Sequence, residues 1–317
     1  PRTSSAASDV YKRQHHYIHD APKLSSNRAK VPISKLREML DNEQDLVSYR
    51  CPACESCTEC KSSPKLQASS IKDRQEQKLI DQSIHIDYDK KRVYISLPFT
   101  KDPIDFFSKH YKGNTNYAQA LSIYKSQCRK SPEVKQGISK AMQELYDLGF
   151  VIQLDQASLD TQNVVNNSRI QHFYPWRSVY KDSISTPIRL VVDPTASLLN
   201  LIMAKGDSSL SSMFQILIQG RTSACCFSTD IRKLYNMMFL NPDSYPYSLF
   251  LYDDSMDPEV PPKVQLMTRA WYGNTATCSQ SSTMLRLLGT HHASSHPLGA
   301  EVLKNRIYVD DAFSGCS

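Results

Sequence analysis

Three aspartates carry the clearest chemical signal in this sequence. Tyr308-Val309-Asp310-Asp311 lies between Arg306-Ile307 and Ala312-Phe313, so two apolar strand arms flank a carboxylate pair. Successive side chains on a strand point to opposite faces, and only a tight turn at a hairpin tip brings both carboxylates toward one site. An isolated Asp-Asp pair is more commonly a solvated acidic turn, so a partner is required. Asp230 is placed to be that partner, because it ends the strand-like Ala224-Cys225-Cys226-Phe227-Ser228-Thr229 and begins the helix-like run Arg232 to Met238. Carboxylate oxygens suit hard divalent cations such as Mg²⁺ or Mn²⁺. Two such ions about 4 Å apart can stabilise the attacking 3′-oxygen and the leaving pyrophosphate of an in-line nucleotidyl transfer. The other acidic pair, Tyr252-Asp253-Asp254, lacks the intervening residue, runs into Ser255, Asp257 and Pro258, and reads as a solvated loop.

A second group of ligand-type residues lies far from these. Cys51, Cys54, Cys57 and Cys60 form C-x2-C-x2-C-x2-C, with Lys61 following. Thiolates bind Zn²⁺, but four-coordinate zinc sites usually draw two ligand pairs from knuckles separated by a longer spacer. The run also approaches an iron–sulfur pattern, in which the last spacing is three and a proline follows. Zinc therefore ranks above a cluster, and reduced or oxidation-sensitive thiols remain the other reading.

With 317 residues and 40% hydrophobic content the chain can bury a core, and Lys+Arg 38 against Asp+Glu 32 leaves a mild excess of +6 that suits a polyanionic partner without demanding one. No apolar run approaches the length of a membrane span and no secretory leader is evident, so an intracellular protein, cytoplasmic or nuclear, is expected, with no membrane partner. Nine cysteines, an odd number with several scattered singly, argue against a disulfide framework.

The elements that must position the aspartates follow from periodicity. Residues 1–14 read as an adaptor-like, non-native tail, and 15–83 as a polar, disordered tail with one helical pattern at Ile33 to Leu40, the cysteine run and a Ser/Lys/Gln-rich linker from Lys61 to Gln82. Segment 84–149 opens with a hairpin, Ile84 to Leu97, turning at Asp89-Lys90 and directing Val93, Ile95 and Leu97 to one face. Two helices follow, one from Asn116 through Cys128, the other N-capped by Ser131 with Pro132 at its first position and Gly149 at its end. Across 150–317 short strands are expected at Phe150 to Leu154, His172 to Val179, Arg189 to Val192 and Ala224 to Ile231. Helical stripes are expected at Leu210 to Ile218, Arg232 to Met238 and Ser281 to Leu288. Strands and helices mix without a βαβ period, which predicts an α+β layer structure.

Taken in order, Leu97-Pro98-Phe99, His172-Phe173-Tyr174-Pro175-Trp176, Arg189-Leu190-Val191-Val192-Asp193, Ser228-Thr229-Asp230-Ile231, Trp271-Tyr272-Gly273 and Tyr308-Val309-Asp310-Asp311 resemble the reverse transcriptase region of BEL/Pao-type retrotransposon polyproteins, over roughly residues 84–317. The resemblance implies a fingers–palm fold, truncated here before the thumb, and an RNA-directed DNA polymerase adding dNTPs to a primer on an RNA or DNA template. Protease, RNase H and integrase regions are expected elsewhere in the element, and the chain alone is expected to be inactive. It further implies that Asp230, Asp310 and Asp311 are the catalytic triad that binds two Mg²⁺ or Mn²⁺ ions.

By the same resemblance, the Tyr235 ring lies under the incoming sugar and disfavours a 2′-hydroxyl, while Arg189 and Lys181 grip the triphosphate. Gly273 lets backbone approach the nucleotide. For Tyr235, Lys181 and Gly273 the plainer readings are a helix-face aromatic, a solvated loop lysine and a turn glycine. The chain departs from the family pattern at Thr277-Cys278, where many relatives carry Ser-Pro, so the next helix is expected to start differently. Two other readings are a catalytically dead nucleic-acid-binding remnant and a zinc interaction module built on the cysteine run.

Overall fold

The computed structural model describes residues 71–180, 188–206, 213–221 and 225–316. Lys181, the four clustered cysteines and the helical pattern at Ile33 to Leu40 lie outside these residues. What is described belongs to one of two units of the chain, residues 48–317, and is a mixed α+β fold of small sheets.

Helix α1 (Ile71–Gln82) takes up part of the stretch expected to be a linker. Composition hid it because its stability comes from tertiary contacts: Ile80 is fully buried, and the Glu76 carboxylate accepts the backbone N–H groups of Lys205 (2.7 Å) and Gly206 (3.4 Å). Strands β1 (Ile84–Asp87) and β2 (Arg92–Ile95) form the expected hairpin, with Val93, Ile95 and Leu97 buried. Helix α2 (Pro103–His110) is capped by Asp102, which accepts from the Ile104 N–H at 2.8 Å. Helices α3 (Tyr117–Cys128) and α4 (Pro132–Asp147) fall where the apolar stripes put them.

Strand β3 (Val151–Gln153), the short helix α5 (Leu159–Asn166) and the hairpin of β4 (Trp176–Tyr180) with β5 (Ile188–Val192) come next. Helix α6 (Met213–Arg221) precedes β6 (Cys225–Asp230). The helix expected over Arg232 to Met238 is not formed. Lys233 takes a left-handed φ of 53°, a 3₁₀ turn covers Tyr235–Met237, and β7 (Met238–Leu240) begins there. Pairing with β2, in parallel, overrides the local helical preference. Strands β8 (Leu249–Tyr252) and β9 (Lys263–Met267), helices α7 (Thr277–His291) and α8 (Pro297–Asn305), and strands β10 (Ile307–Tyr308) and β11 (Asp311–Cys316) complete the chain. The strand orders are β1-β2-β7, β3-β9-β8 and β10-β11-β6, beside the β4-β5 ribbon. Among the described residues no helix is long and apolar enough to cross a membrane.

The core is held by buried polar groups as well as by apolar packing. Asn116 and Phe173 exchange two amide hydrogen bonds, side-chain Nδ2 to Phe173 O and Phe173 N to Oδ1, both at 2.7 Å. The Trp176 indole donates to Leu251 O (2.8 Å), and the Tyr174 hydroxyl donates to Asn274 Oδ1 (3.0 Å). Helix α7 is buried through a polar run: Ser279 donates to Lys205 O (2.6 Å), and Gln280 donates to Ser83 Oγ (2.8 Å) and Ser96 O (2.9 Å). Each bond satisfies a group that burial would otherwise make costly.

His172 is fully buried between Tyr247 O (2.9 Å from Nδ1) and Ser197 Oγ (2.8 Å from Nε2). With a carbonyl on one nitrogen and a hydroxyl on the other, the ring fits as the neutral tautomer, and burial pulls its pKa down to about 4. The unfolded chain takes up that proton near pH 6.5, so the stabilisation is complete above pH 6.5 and is lost as pH falls toward 4. Urea midpoints should therefore show the wild type losing on the order of 2 kcal/mol between pH 7.5 and pH 5 from this group, and a His172→Gln variant, less stable at pH 7.5, should lose correspondingly less.

Candidate metal and nucleotide site

Strand β11 pairs antiparallel with β6 in a register that places Asp311 opposite Asp230. The two-residue tip of the β10-β11 hairpin, Val309-Asp310, is closed by the Tyr308–Asp311 pair. The tip is then fastened to the end of β6, where the Ile231 N–H donates to Asp310 O at 2.8 Å. Asp230, Asp310 and Asp311, distant along the chain, therefore each offer a carboxylate oxygen within 4.8 Å of the others. Among the described residues, no other set of three His, Cys, Asp or Glu side chains is grouped closely enough to hold a metal.

The tip is strained to achieve this. Val309 adopts φ 59°, a left-handed conformation that a β-branched residue avoids, while Asp310 stays at negative φ. Positive φ at the first turn residue alone is the pattern of a type II′ turn, where glycine is the usual occupant. The electrostatics are also unfavourable without a counter-charge: partial burial, then the charges of Asp311 and Asp230, push the Asp310 carboxyl above its ordinary range. Three converging acid oxygens with two members exposed to solvent form a donor set that a hard divalent cation fits, since it would relieve that repulsion.

The aromatic wall beside the cluster comes from two separate segments. Tyr235, on the 3₁₀ turn after β6, packs its ring against Tyr272 with centroids 4.8 Å apart. Burial first, and then the neighbouring Cys278 thiol and the charge of Asp310, raise the Tyr235 phenol's pKa. Tyr272, also raised chiefly by burial, lies in the fields of Asp310, Arg189 and Asp230 together. Arg189 stands exposed on β5, opposite Val179, and no carboxylate among the described residues pairs with it. Three carboxylates and two tyrosines thus lie together, with Arg189, which has no carboxylate partner among the described residues, within electrostatic reach of Tyr272.

Gly273 has a more local explanation than ligand approach. Its φ is 114°, and a Cβ there would sit 2.9 Å from Val192 O and 3.1 Å from Pro194 Cδ. The chain's own backbone therefore requires the glycine, and its carbonyl is held by Asn200 Nδ2 at 3.0 Å. Tyr272 and Cys278 were given no role by sequence reasoning. Tyr272 lies within Trp271-Tyr272-Gly273, so its tripeptide carries a signal, whereas Cys278 is recognisable only from its place beside Tyr235. Helix α7 begins at Thr277, with no side-chain cap at Ala276. Asp253 does form a local turn, accepting from the Ser255 N–H at 3.0 Å.

The hairpin is carried to β6 by helix packing. A Cβ on Gly289 of α7 would lie 3.0 Å from Ala300 O and 3.1 Å from Leu303 Cβ of α8. That close approach sets where α8 delivers β10.

No protein-family model matches the chain, and no curated protein matches it. Among solved structures, it is similar to a foamy viral protease-reverse transcriptase in complex with RNA/DNA hybrid, at 17% identity and a TM-score of 0.39. That match covers 59% of this chain and 20% of the other. At this level the functional reading rests on the residues themselves.

Two outcomes test the geometry of the cluster. In chelator, Asp310→Asn should raise the urea midpoint by removing one repelling charge, and it should reduce the stabilisation gained on adding Mg²⁺, about 1.4 kcal/mol at ten times the dissociation constant for the wild type. Val309→Gly should relieve about 1 kcal/mol of backbone strain yet weaken Mg²⁺ binding by loosening the tip, measured by calorimetric titration.

Proposed function

We propose that this chain is the fingers and metal-binding palm of an RNA-directed DNA polymerase of a BEL/Pao-type retrotransposon, joining dNTPs to a primer 3′-end on an RNA or DNA template. The observation that carries this reading is the β6-β11 register, which sets Asp230 opposite Asp311 with Asp310 tied to the same strand end. Solvated acidic turns have no reason to converge in this way from segments far apart in sequence.

In the reaction the primer 3′-oxygen forms a bond to the α-phosphorus as the bond to pyrophosphate breaks. Asp230, Asp310 and Asp311 would hold two Mg²⁺ or Mn²⁺ ions, which supply positive charge at the attacking and leaving oxygens when bound. Arg189, unpaired by any described carboxylate, neutralises charge on the triphosphate. Lys181, the other cation assigned to the triphosphate, lies outside the described residues. Tyr235, braced by Tyr272, is a wall against a ribose 2′-hydroxyl, so the pocket selects deoxynucleotides by exclusion. Base pairing with the template chooses the nucleotide.

The test is primer extension by this chain joined to a polymerase thumb, on an RNA template with Mg²⁺ or Mn²⁺. Asp310→Asn should abolish extension, and equal extension by the two proteins would sink the proposal. Tyr235→Ala should keep dNTP incorporation while raising ribonucleotide incorporation about five- to 150-fold, the span of a 1–3 kcal/mol steric clash.

A further inference from the structure

A second chemically distinctive surface lies on the face of the β1-β2-β7 sheet opposite the core. Val93, Ile95, Met238 and Leu240 are buried, so their alternating neighbours Arg92, Tyr94 and Phe239 face the other way. Strand register lines these up. His85 pairs with Tyr94, Tyr94 with Phe239, and Phe239 bridges Arg269, giving one row of side chains across four adjacent segments. The rings are in contact, His85 with Tyr94 at 6.5 Å between centroids and Tyr94 with Phe239 at 5.5 Å.

Two guanidiniums lie on the same ring. Arg269 sits over Phe239 at 3.5 Å and Arg92 over it at 4.9 Å. Neither has a carboxylate partner among the described residues, and the electrostatic neighbours of Arg269 are the Tyr245 and Tyr94 phenols and Arg92 itself. Among the described residues Arg269 donates through Nη1 alone, to Thr268 O (3.2 Å) and Oγ1 (2.9 Å). Two like charges gathered on one aromatic ring, with no ion-pair partner among the described residues, repel each other, which a bound anion would reverse. Both guanidiniums lie against the Phe239 ring, and guanidinium N–H donors suit the fork geometry of phosphate oxygens.

We propose that this face binds a single strand of nucleic acid, its phosphates on Arg92 and Arg269 and its bases against Tyr94 and His85. Cations alone would fit any polyanion. The registered aromatic row favours nucleic acid, because sheet-borne aromatics of this kind stack about two or three bases whatever their sequence. The site uses none of the residues of the carboxylate cluster and stands whether or not that cluster is a polymerase centre.

The experiment is fluorescence anisotropy of a short labelled oligo(U) titrated with the full chain in EDTA, which silences any metal-dependent binding at Asp230, Asp310 and Asp311. Arg92→Gln with Arg269→Gln should weaken binding about tenfold and flatten the dependence of log affinity on log salt by about 1.4, two single-strand phosphate contacts at about 0.7 each. Tyr94→Leu should weaken binding with the salt slope unchanged. Arg92 is exposed, so Arg92→Gln alone, with an expected slope change of about 0.7, keeps the test open should the half-buried Arg269 prove necessary for folding. Unchanged affinity and slope in Arg92→Gln would overturn the proposal. So would equal competition by inorganic polyphosphate with no effect of Tyr94→Leu, which would mark a general anion patch. Failure of primer extension with oligo(U) binding intact would count against the polymerase reading and leave this one standing.

Discussion

The pairing of β6 with β11 is the constraint on which the site depends. A shift of that register by one residue would move Asp311 away from Asp230 and turn its side chain to the other face of the sheet. The Ile231–Asp310 backbone bond acts as a stop, fixing the hairpin tip against the strand end. Because backbone hydrogen bonds set the convergence, the carboxylates need not attract one another. They repel, and the ladder holds them together in spite of it.

The surrounding fold serves that register from a distance. Buried amide and hydroxyl bonds, such as those of Asn116, Gln280 and Ser279, lock helices and loops into single positions where apolar packing alone would tolerate sliding. Helix α7 passes this order to α8 through the close approach at Gly289, and α8 runs into the hairpin that ends in the aspartates. The strained Val309 marks where the chain accepts local cost to keep both acids at one tip.

Much of the secondary structure was legible because it obeys simple periods. The β1-β2 hairpin alternates, α3 and α4 carry apolar stripes, and proline opens α4. The elements that depart from local pattern share one physical cause. Helix α1 looked like a linker because Glu76 and Ile80 find their partners far along the chain. The segment after Asp230 looked helical, yet β2 supplied a ladder that its own sequence does not announce. Polar α7 was only partly visible since its buried serines and glutamine look like solvent-facing residues until their acceptors are known.

At the site, residue order alone specifies the chemistry: three acids of the right type, each at a strand end or turn, with a tyrosine five residues past the first. It also supplied the glycine at 273, though for a reason internal to the backbone. Which acids meet, that Tyr272 and Cys278 border Tyr235, and that Arg92 and Arg269 share the ring of Phe239 emerge from long-range pairing in the folded chain. Residue type and local period are properties of neighbours along the chain. Register between strands distant in sequence is set by the global balance of burial and hydrogen bonding, and no local pattern encodes it.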